Sequence, residues 1–194
     1  MLTSGINFIN FKKKGNISKI KKRLTELFKE KTQILKSLSK DYKDSFKYQK
    51  QIKLKKKLNF RLIGVGGSSL GSQAIYNFLK KKIKKNFHFV DNLTPEQKLD
   101  KKKFINIIIS KSGNTIEVIG NTNVLIKKNQ KNVFITENKK SYLYLLAQKL
   151  KSDIIHHNNF IGGRYSVLSE VGMLPADLMG LNVNKFRQFN ALIK

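Results

Sequence analysis

The chain of 194 residues contains no cysteine and no tryptophan, and it has only 2 prolines and 3 histidines. Without cysteine there is neither a disulfide framework nor a thiolate metal site, and three histidines do not make a structural zinc cluster. No apolar run reaches the ~18 residues that span a bilayer. The first fifteen residues also lack the basic-then-apolar order of a secretory signal. We therefore expect a metal-free protein of the reducing cytoplasm that does not bind a membrane.

Acidic side chains are also scarce, since 12 Asp and Glu stand against 40 Lys and Arg for a formal net charge of +28. Such an excess ordinarily makes nucleic acid the first partner to consider. Here the basic residues are nearly all lysine and occur with abundant asparagine and isoleucine, which indicates a compositional bias. Lysine also lacks the bidentate fork that reads guanine. We predict no specific nucleic-acid partner, only salt-sensitive binding that ignores sequence.

The apolar content is high enough for a packed core, because 40% of the residues are hydrophobic and 13 of them are Phe. Apolar residues first recur at steps of three and four after Asn16, which predicts an amphipathic helix capped by Asn16 or Ser18. A basic amphipathic helix can lie on a membrane, but such helices more often bury their stripe against their own domain, and we expect that here. The stripe consists of Ile17, Ile20, Leu24, Leu27, Phe28, Ile34, Leu35 and Leu38.

After residue 58, short apolar runs alternate with helical stretches. Strands are predicted at 60–65, 87–90, 104–109, 132–136 and 153–156, and helices at 70–85, 95–102, 115–129 and 141–151. This alternation predicts an α/β fold, a flavodoxin-like five-stranded parallel sheet with helices on both faces, preceded by N-terminal helices. Ligands bind such sheets at the carboxyl ends of the strands, near the point where the strand order reverses. The loops after the first and third strands should therefore carry function.

The first of these loops, residues 64–71, is rich in glycine and opens a helix, so its free backbone N–H groups favour an anion. It is not a mononucleotide P-loop, because no lysine follows Gly71. It also lacks the third glycine of a dinucleotide fingerprint, where Ser69 stands, although Asp91 lies where a ribose-binding acid would. A nicotinamide cofactor and a purely structural turn both remain as alternatives.

The second loop, residues 110–117, brings three hydroxyls, one ammonium group and a glycine to a helix start. Hydroxyl and backbone donors can surround a phosphate there without a metal. Taken alone, the loop could be only a well-capped helix with Ser112 or Asn114 as N-cap. Two such loops on one sheet edge instead favour a phosphorylated small molecule gripped by hydroxyl-bearing side chains.

Together with a third segment, these loops resemble the sugar isomerase (SIS) domain. The third segment, Gly162-Gly163-Arg164-Tyr165-Ser166-Val167-Leu168-Ser169, is followed by Val171-Gly172-Met173-Leu174-Pro175. It is the most specific of the three, because it resembles the glucose-6-phosphate isomerase family in particular. The resemblance covers residues 60 to 180 approximately.

The resemblance implies isomerisation of glucose 6-phosphate and fructose 6-phosphate through a cis-enediol(ate), without a cofactor, in a homodimer. It implies a catalytic role for Arg164, whose fixed guanidinium would stabilise the enediolate charge. Glu117 would be structural and stand behind the groups that touch the substrate. The implied contacts to the phosphorylated hexose are Ser110, Ser112 and Thr115 with Lys111 beside them, and Gly67 and Ser68.

The family's general base lies in a second SIS domain, which this chain does not reach. We expect a basic helical segment over residues 1–58, the SIS domain over 59–180, and over 181–194 the start of a connection to that second domain. His88, His156 and His157 do not replace the base and are predicted to be packing or surface residues. The chain is thus predicted to be an N-terminal portion that binds sugar phosphate weakly and turns over little. A single-SIS regulatory module that senses a sugar phosphate is the alternative.

Overall fold

The computed structural model describes residues 17–30, 32, 34–35, 42–46, 54, 56, 58–93 and 103–186. The strands are β1 (Asn59–Ile63), β2 (Asn86–Val90), β3 (Ile105–Ile109), β4 (Asn132–Thr136) and β5 (Asp153–His156). The α-helices are α1 (Ile17–Lys29), α2 (Leu70–Phe78), α3 (Ile116–Leu125), α4 (Tyr142–Lys149), α5 (Glu170–Leu178) and α6 (Val183–Phe186). Three 3₁₀ turns span Gly66–Ser68, Lys80–Lys82 and Gly163–Leu168.

All five strands are parallel and lie in the order β2-β1-β3-β4-β5. Phe60 of β1 pairs with Phe87 of β2 on one side and with Ile105 of β3 on the other. The predicted five-stranded parallel sheet is therefore confirmed.

The sheet is covered on both faces, as the hydrophobic runs of β3 and β4 require. Every residue of these two strands is buried. Because side chains alternate along a strand, Ile107 joins one core while its neighbour Ile108 joins the other. The first core contains residues of α2 and α5, and the second contains residues of α3 and α4. The prediction of helices on both faces is thus confirmed.

Helix boundaries differ more from the predictions. Helix α2 ends at Phe78, and the lysines that follow form a separate 3₁₀ turn. The whole of the helix predicted at 95–102 lies outside the described residues. Helix α5 was not predicted, because all of its residues are buried and it therefore shows no amphipathic period.

The expected burial of the N-terminal apolar stripe is wrong for α1. Ile17, Ile20, Leu24 and Leu27 keep between 38% and 58% of their surface exposed. Both faces of the sheet are already covered by helices from within residues 70–178, which leaves no sheet face for α1 to cover. In the part of the chain that the structure describes, no helix is both long and apolar enough to cross a bilayer.

Two side chains from before the sheet do enter the core. Phe46 and Leu54 are each 6% exposed and belong to the same cluster as Phe60. The segment ahead of residue 59 therefore supplies part of the sheet's packing. The domain boundaries at 58 and 180 stay predictions.

The packing of the two cores predicts how much stability a buried and an exposed phenylalanine contribute. Phe134 lies at 1% exposure in the second core, whereas Phe78 at the end of α2 is 90% exposed. Phe134→Ala should lower the free energy of unfolding by about 3–5 kcal/mol, because it removes a buried ring and leaves a cavity. Phe78→Ala is the matched control and should change it by less than about 0.5 kcal/mol in urea denaturation. Equal costs for the two variants would contradict this packing.

Candidate functional site

The carboxyl ends of β1 and β3 define the switch point of the sheet. The two strands are neighbours, but the chain runs from β1 outward to β2 on one side and from β3 to β4 on the other. A crevice opens at such a point because the two connections leave in opposite directions. The start of the first loop packs against the end of β3 there, since a Cβ on Gly64 would lie 3.2 Å from the carbonyl oxygen of Ile109.

The first loop turns through a left-handed glycine and enters α2 without a side-chain cap. Gly66 has a φ of 58°, which favours glycine. Ser69 is the N-cap of α2, yet its hydroxyl is 3.4 Å from the carbonyl oxygen of Gly66 and caps no amide. The N–H groups in the first turn of α2 therefore have no side-chain acceptor from the cap.

The second loop is closed by its own hydroxyls. The Ser110 and Thr115 hydroxyl oxygens are 2.9 Å apart, and the Gly113 amide donates to Ser110 Oγ over 3.2 Å. Gly113 has a φ of 67°. Thr115, rather than Ser112 or Asn114, is the N-cap of α3, and its side chain caps no amide. Two of the predicted phosphate-binding hydroxyls are thus adjacent at an uncapped helix start.

The other long helices on the sheet begin differently. Ser141 caps α4 by accepting from the Tyr144 amide, and Ser169 caps α5 by accepting from the Val171 amide. Only the helices after β1 and β3, among these four described helices, lack a side-chain cap. Uncapped amides at a positive helix end favour an anion, so both candidate loops present such a site at the switch point.

The third segment packs directly on the first loop. A Cβ on Gly67 would overlap the carbonyl of Gly163 and lie 3.1 Å from the backbone nitrogen of Arg164. Ser166 is buried, and its hydroxyl is 2.6 Å from the Gly163 carbonyl oxygen and 3.3 Å from that of Gly67. Arg164 is exposed beside this contact. All three segments therefore lie on one edge of the sheet.

Lys111 is bound away from the hydroxyls of its own loop. Its ammonium group donates to the Asn159 carbonyl oxygen over 2.6 Å and pairs with Glu137 Oε1 at 3.4 Å. Its backbone oxygen accepts from the Glu137 amide over 3.0 Å. Lys111 therefore joins the second loop to the end of β4 and to the residues that precede Arg164.

The remaining predicted residues lie on the same edge. Ser68 is half-buried in the first loop, and Ser112 is exposed and accepts from the Asn114 amide over 3.3 Å. Glu117 is half-buried in the first turn of α3, where a carboxylate stabilises the helix dipole. Its structural role and the substrate contacts of the other residues stay predictions.

Asp91, the residue that would bind the ribose of a nicotinamide cofactor, already accepts a hydrogen bond within the protein. The carboxylate of Asp91, after β2, accepts from the Gln73 side chain over 2.8 Å.

Of the histidines, His88 and His156 are exposed and His157 is buried. Among the described residues, no group of three or more His, Asp and Glu side chains is arranged to hold a metal ion.

Sequence reasoning missed Ser166 as the residue that joins the first and third segments. Ser166 lies in the motif of residues 162–169, but nothing in that sequence indicates which of its serine hydroxyls is buried. The glycines gave the available signal, since a Gly-Gly pair in each segment is what a close backbone approach requires.

Comparison with known proteins places these features in one family. The family model described as phosphoglucose isomerase matches residues 21–193. A glucose-6-phosphate isomerase of Methanocaldococcus jannaschii is 36% identical over 140 residues, which cover 66% of this chain and 34% of that protein. One from Acholeplasma laidlawii is 36% identical over 146 residues, which cover 64% and 34%. The chain thus spans about a third of the length of these relatives.

Solved structures give the same fold. A hypothetical protein from Thermus thermophilus superposes with a TM-score of 0.67 at 25% identity, covering 86% of this chain and 44% of that one. A tagatose-6-phosphate ketose/aldose isomerase from Escherichia coli superposes with a TM-score of 0.53 at 18% identity, covering 72% and 42%. The second likeness is one of fold alone.

The contact between the first and third segments predicts that alanine lowers the stability of the protein at Gly67 and not at Gly163. Gly67→Ala should lower the free energy of unfolding by about 1–3 kcal/mol, because its Cβ would overlap the backbone of Gly163. Gly163→Ala is the matched control, since a Cβ there meets nothing within 4 Å. Urea denaturation of both variants measures the difference. Tolerance of alanine at Gly67 would show that the two segments do not touch.

Proposed function

The chain belongs to the phosphoglucose isomerase family, and from that premise we propose that it supplies the phosphate-binding and enediolate-stabilising part of an isomerase site for glucose 6-phosphate and fructose 6-phosphate. The observation that carries the proposal is the pair of uncapped helix starts, α2 and α3, at one switch point. The substrate is then a phosphorylated hexose, and no cofactor takes part. By the same membership we propose that the protein is cytoplasmic and forms a homodimer.

The phosphate is proposed to bind at the second loop. The hydroxyls of Ser110, Ser112 and Thr115 and the first amides of α3 can donate to the phosphate oxygens, and charge-assisted bonds of this kind are the strong ones. The hydroxyl pair formed by Ser110 and Thr115 supports this role, because one hydroxyl donates to the other over 2.9 Å and the accepting hydroxyl keeps its own hydrogen for a phosphate oxygen. Lys111 would hold the loop beside the phosphate through its ion pair with Glu137 and its bond to the Asn159 carbonyl oxygen.

The reacting carbons are proposed to lie between the first loop and Arg164. A base removes the C2 proton of the open-chain aldose to give a cis-enediolate, the hydroxyl proton passes from O2 to O1, and protonation at C1 gives the ketose with its carbonyl at C2. Arg164 would stabilise the negative oxygen in between, because a guanidinium keeps its charge at every relevant pH. Gly67 and Ser68 would contact the sugar, and the packing of Gly67 on the Arg164 backbone nitrogen supports this arrangement.

The general base is proposed to come from a part of the family fold outside this chain. The chain spans about a third of its curated relatives, and the three segments that it contributes are binding and charge-stabilising elements. We therefore propose that the 194-residue chain binds the substrate weakly and turns over little by itself.

Ligand binding tests the proposal. Glucose 6-phosphate should raise the melting temperature of the chain, whereas glucose should not, because the phosphate carries the recognition. Ser110→Ala should weaken glucose 6-phosphate binding about tenfold, since it removes one donor to a charged group. Because the chain carries a net charge of +28, the titration is run at physiological salt to suppress non-specific binding.

Ser152→Ala is the matched control, since Ser152 lies next to the amino end of β5 at the opposite edge of the sheet. It should bind glucose 6-phosphate as tightly as the wild type does. Equal weakening by both serine variants, or no stabilisation by glucose 6-phosphate, would contradict the site. Rapid isomerase turnover by the purified chain would contradict the proposal that the base lies elsewhere.

A further inference from the structure

Helix α5 begins with a carboxylate that the proposed reaction does not use. Glu170 is fully buried, and its partner His157 is 3% exposed. Glu170 Oε1 accepts from the Tyr42 hydroxyl and from the Ser45 amide, each over 3.0 Å. Glu170 Oε2 is 3.4 Å from Nδ1 of His157. A buried charge with this many donors is an organised site rather than an accident of packing.

The charges of this cluster support the same reading. Burial alone would raise the pKa of Glu170, but hydrogen bonds from His157, its own backbone amide, Ser45 and Tyr42 together hold that pKa below its ordinary value. Burial and the neighbouring carboxylate raise the pKa of Tyr42, so its hydroxyl stays protonated and can donate. Glu170 is therefore an anion that accepts from residues 42–45, from His157 and from its own backbone amide.

The cluster consists of Tyr42, Ser45, His157 and Glu170. It borders both ends of the Arg164 segment, residues 162–168. Before it, Nε2 of His157 is 3.1 Å from the carbonyl oxygen of Ile161. After it, the hydroxyl of Ser169 donates to the Ser166 carbonyl oxygen over 2.7 Å, and Glu170 follows directly in the chain. Both ring nitrogens of His157 face acceptors, Glu170 Oε2 on one side and the Ile161 carbonyl oxygen on the other.

Further bonds tie the same stretch to its neighbours. Asn158 donates to the Tyr42 hydroxyl over 2.7 Å, and the Asn159 carbonyl oxygen accepts from Lys111 of the second loop over 2.6 Å. Together with the contact between His157 and Glu170, these bonds hold the residues before Arg164 to three other parts of the chain. Arg164 itself is exposed, so its placement depends on this surrounding framework.

We propose that Glu170 and His157 are positioning residues that fix the Arg164 segment relative to the phosphate-binding loop. The carboxylate of Glu170 is buried and bonded to residues 42–45 and to His157, and a satisfied buried network of this kind rigidifies the parts that it joins. This inference rests on the proposed function only in the role given to Arg164. The clamping of the segment is tested without any ligand.

Arginine-specific proteolysis gives the ligand-free test. The four arginines of the chain include exposed Arg164 and buried Arg61. Cleavage after Arg164 therefore reports local opening of the Arg164 segment, and cleavage after Arg61 reports opening of the sheet. Glu170→Gln should speed cleavage after Arg164 about tenfold, because the amide cannot replace the charge-assisted bonds. Cleavage after Arg61 should stay unchanged, since it requires opening of the sheet. Unchanged cleavage at Arg164 would overturn the inference.

Ligand discrimination gives the second test. A hexose-phosphate hydroxamate carries a charge where the enediolate does, so it should contact Arg164, whereas inorganic phosphate should bind the second loop only. Glu170→Gln should weaken hydroxamate binding about tenfold and phosphate binding less than twofold. A variant that only loosened the fold would weaken both. Asp153→Asn, which removes an exposed carboxylate at the other end of β5, is the matched control and should change neither.

The two proposals fail separately. If the wild type does not bind the hydroxamate, the proposed function is contradicted, while the proteolysis result still decides whether Glu170 clamps the segment. If Arg164→Lys weakens the hydroxamate but Glu170→Gln does not, the positioning role alone is wrong. Should Glu170→Gln not fold, Tyr42→Phe removes one donor to the same carboxylate and should give the same pattern with smaller changes. Tyr42→Phe behaving as the wild type in both tests would then overturn the inference.

Discussion

The structure depends on the neighbouring placement of β1 and β3. Because the chain leaves these two strands toward opposite edges of the sheet, the helices that follow them start side by side at one crevice. Ser69 and Thr115 stand at those starts and cap neither helix. The strand order therefore brings two positive helix ends to one edge of the sheet, and such ends favour anions.

A close backbone contact holds the third segment against the first loop. Gly67 leaves room for the backbone of Gly163 and Arg164, and a Cβ on Gly172 would overlap the carbonyl of Val167 in the same 3₁₀ turn. Ser166 links the first and third segments from inside. The segment that contains Arg164 is held near both ends, where Nε2 of His157 is 3.1 Å from the Ile161 carbonyl oxygen and the Ser169 hydroxyl donates to the Ser166 carbonyl oxygen. Under the proposed function, substrate binding and charge stabilisation are thus assigned to separate elements.

Much of this architecture could be predicted from the sequence. The β-branched strands and glycine-rich loops are local signals, so all five strands and the two candidate loops are where the patterns indicated. Helix α5 could not be predicted, because a fully buried helix has no period. The Glu170 cluster could not be predicted either, since Tyr42 and Glu170 are distant in sequence and meet only through tertiary packing. The direction of Lys111 likewise depends on Glu137 of another loop.

The most direct test of the central claim is a titration of the ¹⁵N-labelled chain with glucose 6-phosphate, followed through its backbone amide chemical shifts. The account predicts that the largest shifts occur in residues 66–70 and 113–118, where the two helices start. Shifts confined to the opposite edge, around the amino ends of the strands, or spread evenly over the lysine-rich surface would contradict it.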